Sequence, residues 1–235
     1  MICVPVMAAT RAEALRIIGR SAGLADVLEL RMDLLPTQSK VRELIKAVRS
    51  AGPAQVLVTN RPSGDLSELM EKERLGVLAE AIYLGADYVD VELSTATSGL
   101  EELRALIGAA GNRTRLIISH HDFAKTPAGR ILRGLFHDCV RAGAGIVKIV
   151  TRARRPEDNL KVLELIPYAL RRNVPIIALC MGEEGRMSRI MAPLVGGLFT
   201  FAALERGSES AAGQLTVEEM KRIWGLMEGK GHGGL

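Results

Sequence analysis

Residues 115–127 read RLIISHHDFAKTP, an apolar run that ends in two adjacent histidines. Short apolar runs bounded by turn signals are typical of buried strands. A second run of this kind, GIVKIV at 145–150, follows after enough residues for one helix. Because parallel strands are usually joined through a helix, this part of the chain predicts an alternating α/β fold.

The same alternation extends over the whole chain. Six further β-rich runs are ICVPVM (2–7), DVLELR (26–31), QVLVTN (55–60), DYVDVEL (87–93), VPIIALC (174–180) and GGLFTFAAL (196–204). Helical patterns lie between them, and the last one begins with a capping box of Thr216 and Glu219. Two apolar stripes have helical spacing: Leu75, Leu78, Ala79 and Ile82, and then Val217, Met220, Trp224 and Met227.

Eight strands alternating with helices predict one (β/α)8 barrel, a TIM barrel, over residues 1–228, with 229–235 as a frayed tail. The helix within GRMSRIMAPL, at 185–194, is expected to be short. An open, doubly wound sheet is the alternative, but neither a dinucleotide glycine fingerprint nor a P-loop is found in the sequence.

Composition narrows the class of protein. The three cysteines, Cys3, Cys139 and Cys180, are odd in number and unclustered, so we expect neither a disulfide framework nor a CxxC metal site, and a cytoplasmic location. The sequence starts without a basic signal-peptide region, and no apolar run is as long as a membrane span. The net charge of +4 comes from scattered residues without interleaved aromatics, so we expect no nucleic-acid partner.

The active site of such a barrel lies at the carboxyl ends of its strands. In VLELRMD, Glu29, Arg31 and Asp33 share one face, and the apolar residues between them favour the helix side, so Glu29 and Arg31 are predicted to point inward. Buried charges are costly unless paired, so they form either a ligand site or a structural ion pair. The other polar groups at strand ends are Arg61, Asp90, Glu92, Ser119, His121, Arg189 and, in a small-residue segment that suggests a mobile lid, Gln214.

Lys148 is the one cation within the apolar run GIVKIV. A barrel interior desolvates a lysine, and desolvation favours the neutral amine that attacks ketones to form Schiff bases. His121, on the inner face of the preceding strand, is a candidate general base, whereas His120 points to the outer face. The alternative is a structural lysine paired with Glu92 or Glu29.

Taken together, these residues resemble the type I 3-dehydroquinate dehydratase family. The matching motifs are ELRMD (29–33), SHHDFAKTP (119–127), VKIV (147–150), MGEEGRMSR (181–189) and SAAGQLT (210–216), and the resemblance covers nearly the whole chain. It implies a (β/α)8 barrel without metal or organic cofactor, and a Schiff-base dehydration of 3-dehydroquinate to 3-dehydroshikimate, the third step of the shikimate pathway. We also expect a homodimer, although the sequence itself does not give the oligomeric state.

The resemblance also implies roles for single residues. Lys148 matches the Schiff-base lysine, and His121, directly before Asp-Phe, matches the catalytic histidine. Asp122 is then expected to tie down its loop. The substrate-binding residues implied by the match are Glu29, Arg31, Arg61 for hydroxyls, Arg189 for the carboxylate, and Ser210 and Gln214 in the lid.

Two positions depart from the family pattern. Asp65 stands where a glutamate is common and is a possible carboxylate to orient His121, and Pro5 replaces a common serine, so one substrate contact is absent or replaced.

Two other functions stay open at this point. One is a class I aldolase, although MGEEGRMSR suits a carboxylate better than a phosphate, and the other is a non-catalytic basic barrel that binds RNA or a protein.

Overall fold

A single parallel sheet of eight strands curves into a nearly closed barrel. The computed structural model describes residues 1–36, 40–62, 64 and 67–227. The first seven strands are hydrogen-bonded to one another in chain order, and the eighth strand is bonded to the first. A bond of 2.9 Å from Leu198 N to Ile176 O joins the segment before the eighth strand to the seventh strand and so closes the ring. The predicted (β/α)8 barrel is therefore confirmed, and the open sheet is wrong.

The strands are β1 (Ile2–Val6), β2 (Val27–Arg31), β3 (Gln55–Thr59), β4 (Tyr88–Glu92), β5 (Arg115–Asp122), β6 (Ile146–Arg152), β7 (Ile176–Met181) and β8 (Thr200–Phe201). The helices are α1 (Arg11–Ser21), α2 (Val41–Ala51), α3 (Glu68–Tyr83), α4 (Thr97–Ala109), α5 (Gly129–Arg141), α6 (Asp158–Leu163), α7 (Leu165–Leu170), α8 (Arg186–Leu194) and α9 (Val217–Met227). The expected short helix is α8, with nine residues.

The eighth strand is much shorter than the predicted run 196–204. It has two residues, because the run begins with a turn. Gly196 has a φ of +99°, and a Cβ on Gly197 would lie 2.8 Å from the carbonyl oxygen of Ala192. The glycines therefore serve the tight exit from α8, and only Thr200 and Phe201 remain to pair with β1.

The helical stripes are confirmed with one exception. In α3, Leu78 and Ile82 are buried and Leu75 is partly buried. In α9, the reciprocal capping bonds form between Thr216 and Glu219, and Val217 and Met220 are buried. Met227, however, is 53% exposed, because it lies one turn beyond Trp224, whose Nε1 donates to the Ile190 carbonyl of α8.

Two parts of the prediction lie outside the described residues: the tail 229–235, together with the exact end of the domain at 228, and Asp65. Among the helices of the described ranges, none combines the length and apolarity that a membrane crossing requires.

An aromatic floor lies beneath the carboxyl-terminal rim of the barrel. Tyr88 and Phe199 meet edge to face with ring centroids 5.8 Å apart, and Phe199 and Phe201 do so at 5.6 Å. Such edge-to-face pairs fill the interior with rigid apolar groups. Because all strands are parallel, the polar side chains at their carboxyl ends converge above this floor.

Candidate active site

One cavity of about 190 Å³ opens at the carboxyl ends of the strands. It is lined by Glu29, Arg31, Arg61, Glu92, His121, Phe123, Lys148, Val150, Leu179, Met181, Arg189, Phe201, Ser210, Ala211 and Gln214. Every predicted site residue that the structure describes is in this set. Asp65 is the remaining one, and it lies outside the described residues.

Lys148 is buried in the barrel interior and paired with a carboxylate. Its Nζ lies 2.8 Å from Asp90 Oδ2 and 4.5 Å from the centre of the Phe201 ring. Among the described residues, Lys148 forms its ion pair with Asp90 and not with the alternative partners Glu29 and Glu92. Glu29 accepts a hydrogen bond of 2.7 Å from the Thr59 hydroxyl, and Glu92 contacts Arg61 and His121.

Asp90 remains an anion in this setting. Burial by itself would raise the pKa of Asp90, but Arg61 and Lys148 outweigh burial and hold that pKa well below its usual range. Ser119 also donates its hydroxyl to Asp90 Oδ1 at 2.6 Å. A carboxylate held in this way is a stable counter-charge for a cation on Lys148, and it is a poor acceptor for a proton.

Arg61 lies between two carboxylates. Its Nη2 donates to Asp90 Oδ2 at 2.6 Å, and its Nη1 lies 2.7 Å from Glu92 Oε1 and 2.7 Å from Ser119 Oγ. Burial opposes the charged form, but Asp90 and Glu92 outweigh it and raise the pKa of Arg61. The guanidinium is therefore a fixed positive charge within the cavity.

His121 and His120 lie on opposite faces of β5, as the strand period predicts. His121 is paired in register with Val150, which lines the cavity, whereas His120 is paired with Ile149, which does not. Asp122 accepts bonds of 2.9 Å from the amides of Ala124 and Lys125, which confirms that it ties down the loop.

The imidazole of His121 contacts one carboxylate. Its Nδ1 lies 2.7 Å from Glu92 Oε1, although the contact is too bent to satisfy the direction of an N–H bond. Burial lowers the pKa of His121, the Glu92 carboxylate opposes this, and Arg61 and Lys148 lower the pKa further. Since the net shift is downward from 6.5, His121 is neutral at pH 7 and can accept a proton.

The end of β2 differs in one respect from the strand-face prediction. Glu29 and Arg31 line the cavity as expected, but the strand stops at Arg31 and residues Met32–Leu34 form a 3-10 turn. Asp33 is therefore not a third residue of the strand face. The turn brings it back to Arg31, whose Nε and Nη2 donate to its two oxygens at 3.0 and 2.6 Å.

Arg189, on α8, is a buried guanidinium that has no carboxylate partner among the described residues. Only 2% of the residue is exposed, and among the described residues its Nε has no hydrogen-bond partner. Its Nη2 reaches the carbonyl oxygen of Ala212 at 3.5 Å. Burial lowers the pKa of Arg189 to about 10, so the group stays charged at neutral pH and offers its free donors to an anion in the cavity.

The segment 208–215 lies over this arginine. Ser210 and Gln214 bond to each other twice, from Ser210 N to Gln214 Oε1 at 2.8 Å and from Gln214 Nε2 to Ser210 Oγ at 2.9 Å. The segment rests on the loop after β7, where Gly182 N donates to Ala212 O at 2.9 Å. Gly213 has a φ of +81°, and a Cβ there would lie 2.1 Å from Gly182 O.

The structure adds residues to which the sequence assigned no role. Asp90 was placed at a strand end without a partner, Glu92 was considered only as an alternative partner of Lys148, and Phe201 was not singled out. The alternation of acidic and apolar residues in DYVDVEL is the signal that directs Asp90 and Glu92 to one face. Pro5 is buried in β1 opposite Glu29 and borders a neighbouring groove instead of this cavity.

Across the part of the chain that the structure describes, no three His, Cys, Asp or Glu side chains are grouped to hold a metal ion.

The chain is similar in sequence to one family of enzymes over nearly its whole length. The sequence model of the type I 3-dehydroquinase family matches residues 2–230. The 3-dehydroquinate dehydratase of Desulfotalea psychrophila is 37% identical over 225 residues, which cover 95% of this chain and 96% of that protein.

Solved structures agree with the sequence matches. The 3-dehydroquinate dehydratase of Geobacillus kaustophilus superposes with a TM-score of 0.86 at 26% identity, over 98% of this chain and 92% of that one. The type I 3-dehydroquinate dehydratase of Clostridium difficile, solved with covalent modified comenic acid, gives a TM-score of 0.85 at 25% identity, over 97% and 92% of the two chains. Together with the barrel and the cavity, these matches show that the chain belongs to the type I 3-dehydroquinase family.

Proposed function

We propose that this chain dehydrates 3-dehydroquinate to 3-dehydroshikimate, the third step of the shikimate pathway, through a Schiff base on Lys148. The observation that carries the proposal is the content of one cavity. It combines a buried lysine, a neutral histidine, and a buried arginine that lacks a carboxylate partner within the described ranges. Membership of the family supports the same reaction and substrate.

The first half of the reaction forms the Schiff base. The Lys148 ammonium first gives a proton to neutral His121, and the resulting amine adds to the C3 ketone. His121 then returns the proton to the hydroxyl group of this adduct, which leaves as water. The product is an iminium ion, which keeps one positive charge on the same nitrogen. Asp90, 2.8 Å from that nitrogen in the free protein, is the counter-charge for both the ammonium and the iminium.

The second half eliminates water. The iminium acidifies the adjacent C2 hydrogen, and neutral His121 takes that proton as general base. The resulting enamine expels the C1 hydroxyl, which leaves as water when His121 returns a proton. Hydrolysis of the imine then frees the product and Lys148. The remaining residues bind substrate in this proposal: Glu29, Arg31, Arg61, Arg189, Ser210 and Gln214.

Two measurements test the proposal. Purified protein is mixed with 3-dehydroquinate, and the conjugated product is followed by its ultraviolet absorbance. Borohydride is then added during turnover, and the digested protein is mapped by mass spectrometry. We expect turnover together with a reduced adduct on the peptide that contains GIVKIV, residues 145–150. Turnover without any adduct would contradict the Schiff base, and no turnover would contradict the substrate.

Arg189 should determine how tightly the substrate carboxylate is held. A charge-assisted hydrogen bond contributes about 1.5–3 kcal/mol, and about 1.4 kcal/mol is tenfold in binding. Replacement of Arg189 by alanine should therefore raise KM at least about tenfold. Arg189→Lys should restore part of this loss, because a point charge cannot reproduce the planar fork. Steady-state kinetics measure both variants, and an unchanged KM would show that the carboxylate binds elsewhere.

Gly213 should be needed for the segment 208–215 to close. A methyl group at this position would lie 2.1 Å from Gly182 O, so Gly213→Ala should displace the segment. The substitution should raise KM about tenfold. It should also weaken the protection from protease that bound product gives to residues 208–215. Gly207→Ala is the matched control, since Gly207 has a similar φ of +86° but its Cβ would meet no atom within 4 Å. Equal effects of the two substitutions would mean that backbone strain matters and the contact with Gly182 does not.

The other two functions can be tested on the same protein. A class I aldolase would give a borohydride adduct with a sugar phosphate or a keto acid in place of 3-dehydroquinate. An RNA-binding barrel would retain RNA on a filter with a strong dependence on salt. The homodimer, the cytoplasmic location and the independence from metal and organic cofactors stay predictions, to be tested by light scattering, by fractionation and by assay after chelation.

A further inference from the structure

The charged groups of the cavity form one connected series of contacts with Arg61 at its centre. Lys148 contacts Asp90, the same Asp90 oxygen contacts Arg61, Arg61 contacts Glu92, and Glu92 contacts His121. Each of these contacts is between 2.6 and 2.8 Å long. The residue proposed as nucleophile and the residue proposed as base are thus connected through two carboxylates and one guanidinium.

The donors of Arg61 are largely engaged by this series. A guanidinium has five N–H groups. Separate contacts to Ser119, Glu92 and Asp90 occupy both hydrogens of Nη1 and one of Nη2, which leaves one N–H on Nη2 and one on Nε. The family resemblance implies that Arg61 binds substrate hydroxyls, but its contacts point first to the protein's own carboxylates.

The geometry points to a positioning role: we propose that Arg61 offsets the repulsion between the like charges of Asp90 and Glu92. We propose that it thereby also keeps His121 neutral, so that His121 can act as general base. The inference rests on the proposed function for the parts that Lys148 and His121 play. It assigns Arg61 an effect on the protonation of the base, through Glu92, in addition to any contact with substrate.

The electrostatic reason lies in the balance of charges around His121. Glu92 and Asp90 on β4 favour an imidazolium ion, whereas Arg61 after β3 and Lys148 on β6 disfavour it. The charged groups that line the same cavity from β2 and α8 are Glu29, Arg31 and Arg189. Without Arg61, the two β4 carboxylates would be left with one cation fewer and would draw a proton onto His121.

An NMR titration of the imidazoles in the ligand-free protein tests this without reference to the reaction. The chain has four histidines, and the His121 signal is assigned by its absence in His121→Gln. We expect Arg61→Gln to raise the midpoint of the His121 titration by about one pH unit. Glu92→Gln should lower the midpoint, because it removes the group that opposes burial. Opposite shifts from two neighbouring substitutions are not expected from a general loss of structure.

The pH profile of kcat/KM provides the second readout. The pKa that its acid limb reports should be raised in Arg61→Gln and lowered in Glu92→Gln. Each shift should equal the shift of the titration midpoint in the same variant. Arg61→Lys, which keeps the charge but not the fork, should give a smaller upward shift, and it carries the test if Arg61→Gln does not fold. Arg141→Gln is the matched control, since it removes an exposed arginine that pairs with Asp138 far from the cavity.

One result would overturn the inference. If KM rises in Arg61→Gln and Arg61→Lys while the His121 midpoint stays where it is in the unaltered protein, Arg61 is a hydroxyl-binding group alone. A failure of the proposed function is distinguishable from this outcome. In that case the unaltered protein does not turn over 3-dehydroquinate, and the titration still reports whether Arg61 controls His121.

Discussion

Replacement of Lys148 by alanine should abolish the dehydratase activity and leave the barrel folded. The loss should be at least about 10³-fold in kcat, because a covalent step has no other nucleophile to replace it, and the loss of a nucleophile can cost far more than this. Folding should survive because Asp90, the partner of Lys148, keeps its contacts with Arg61 and Ser119. Circular dichroism and a thermal melt establish the fold, and steady-state kinetics measure the loss.

The control for Lys148 is a lysine of ordinary exposure. Lys125 and Lys161 lie outside the cavity, and Lys161, whose side chain is 37% exposed, pairs with the buried Asp158 of α6. Because neither lysine lines the cavity, their alanine variants should keep full activity and the same borohydride adduct as the unaltered protein. Full activity of Lys148→Ala, or an adduct that maps to Lys125 or Lys161, would refute the assignment of the nucleophile.

The two adjacent histidines should differ by orders of magnitude. His121→Ala removes the general base from the cavity, and general acid–base catalysis typically contributes about 10²–10⁴-fold. His120→Ala changes a side chain on the outer face of β5, so its effect should fall on stability or on the loop after the strand. The rates of the two variants are compared at saturating 3-dehydroquinate, with thermal melts alongside.

Each histidine variant is the control for the other. The residues are neighbours in the chain, and they have nearly the same backbone environment, so a general disturbance of β5 would affect both alike. Only the direction of the side chain separates them: Val150, level with His121, lines the cavity, and Ile149, level with His120, does not. Equal losses, or a larger loss in His120→Ala, would contradict the active-site assignment.

The order of elements and the inner face of each strand could be predicted from the sequence. Alternation of strands and helices is a local pattern, and so is the two-residue period that directs Lys148 and His121 inward and His120 outward. Both follow from backbone geometry within a few residues. The same reasoning failed where local geometry changes, as at Asp33, which a 3-10 turn takes out of the strand, and at the Gly196–Gly197 turn before β8.

The pairing of charges could not be predicted in this way. Lys148 and Asp90 are 58 residues apart, and the sequence offered Glu29 and Glu92 as equally plausible partners. The choice depends on which carboxylate the closed barrel brings within reach of Lys148 Nζ, and Glu29 and Glu92 contact Thr59, Arg61 and His121 instead. Such competition among neighbours is a property of the assembled barrel.

The barrel, its strand order and the polar residues at its rim can be predicted from sequence alone, because they depend on periodicity and on motifs that are contiguous in the chain. The folded barrel is needed to see that Asp90 is the partner of Lys148, that Arg61 lies between Asp90 and Glu92, and that Arg189 is buried with no carboxylate partner in the described ranges. The physical reason is range: strand faces are determined over a few residues, whereas the energy of a buried charge depends on every group that the fold brings within a few ångströms of it.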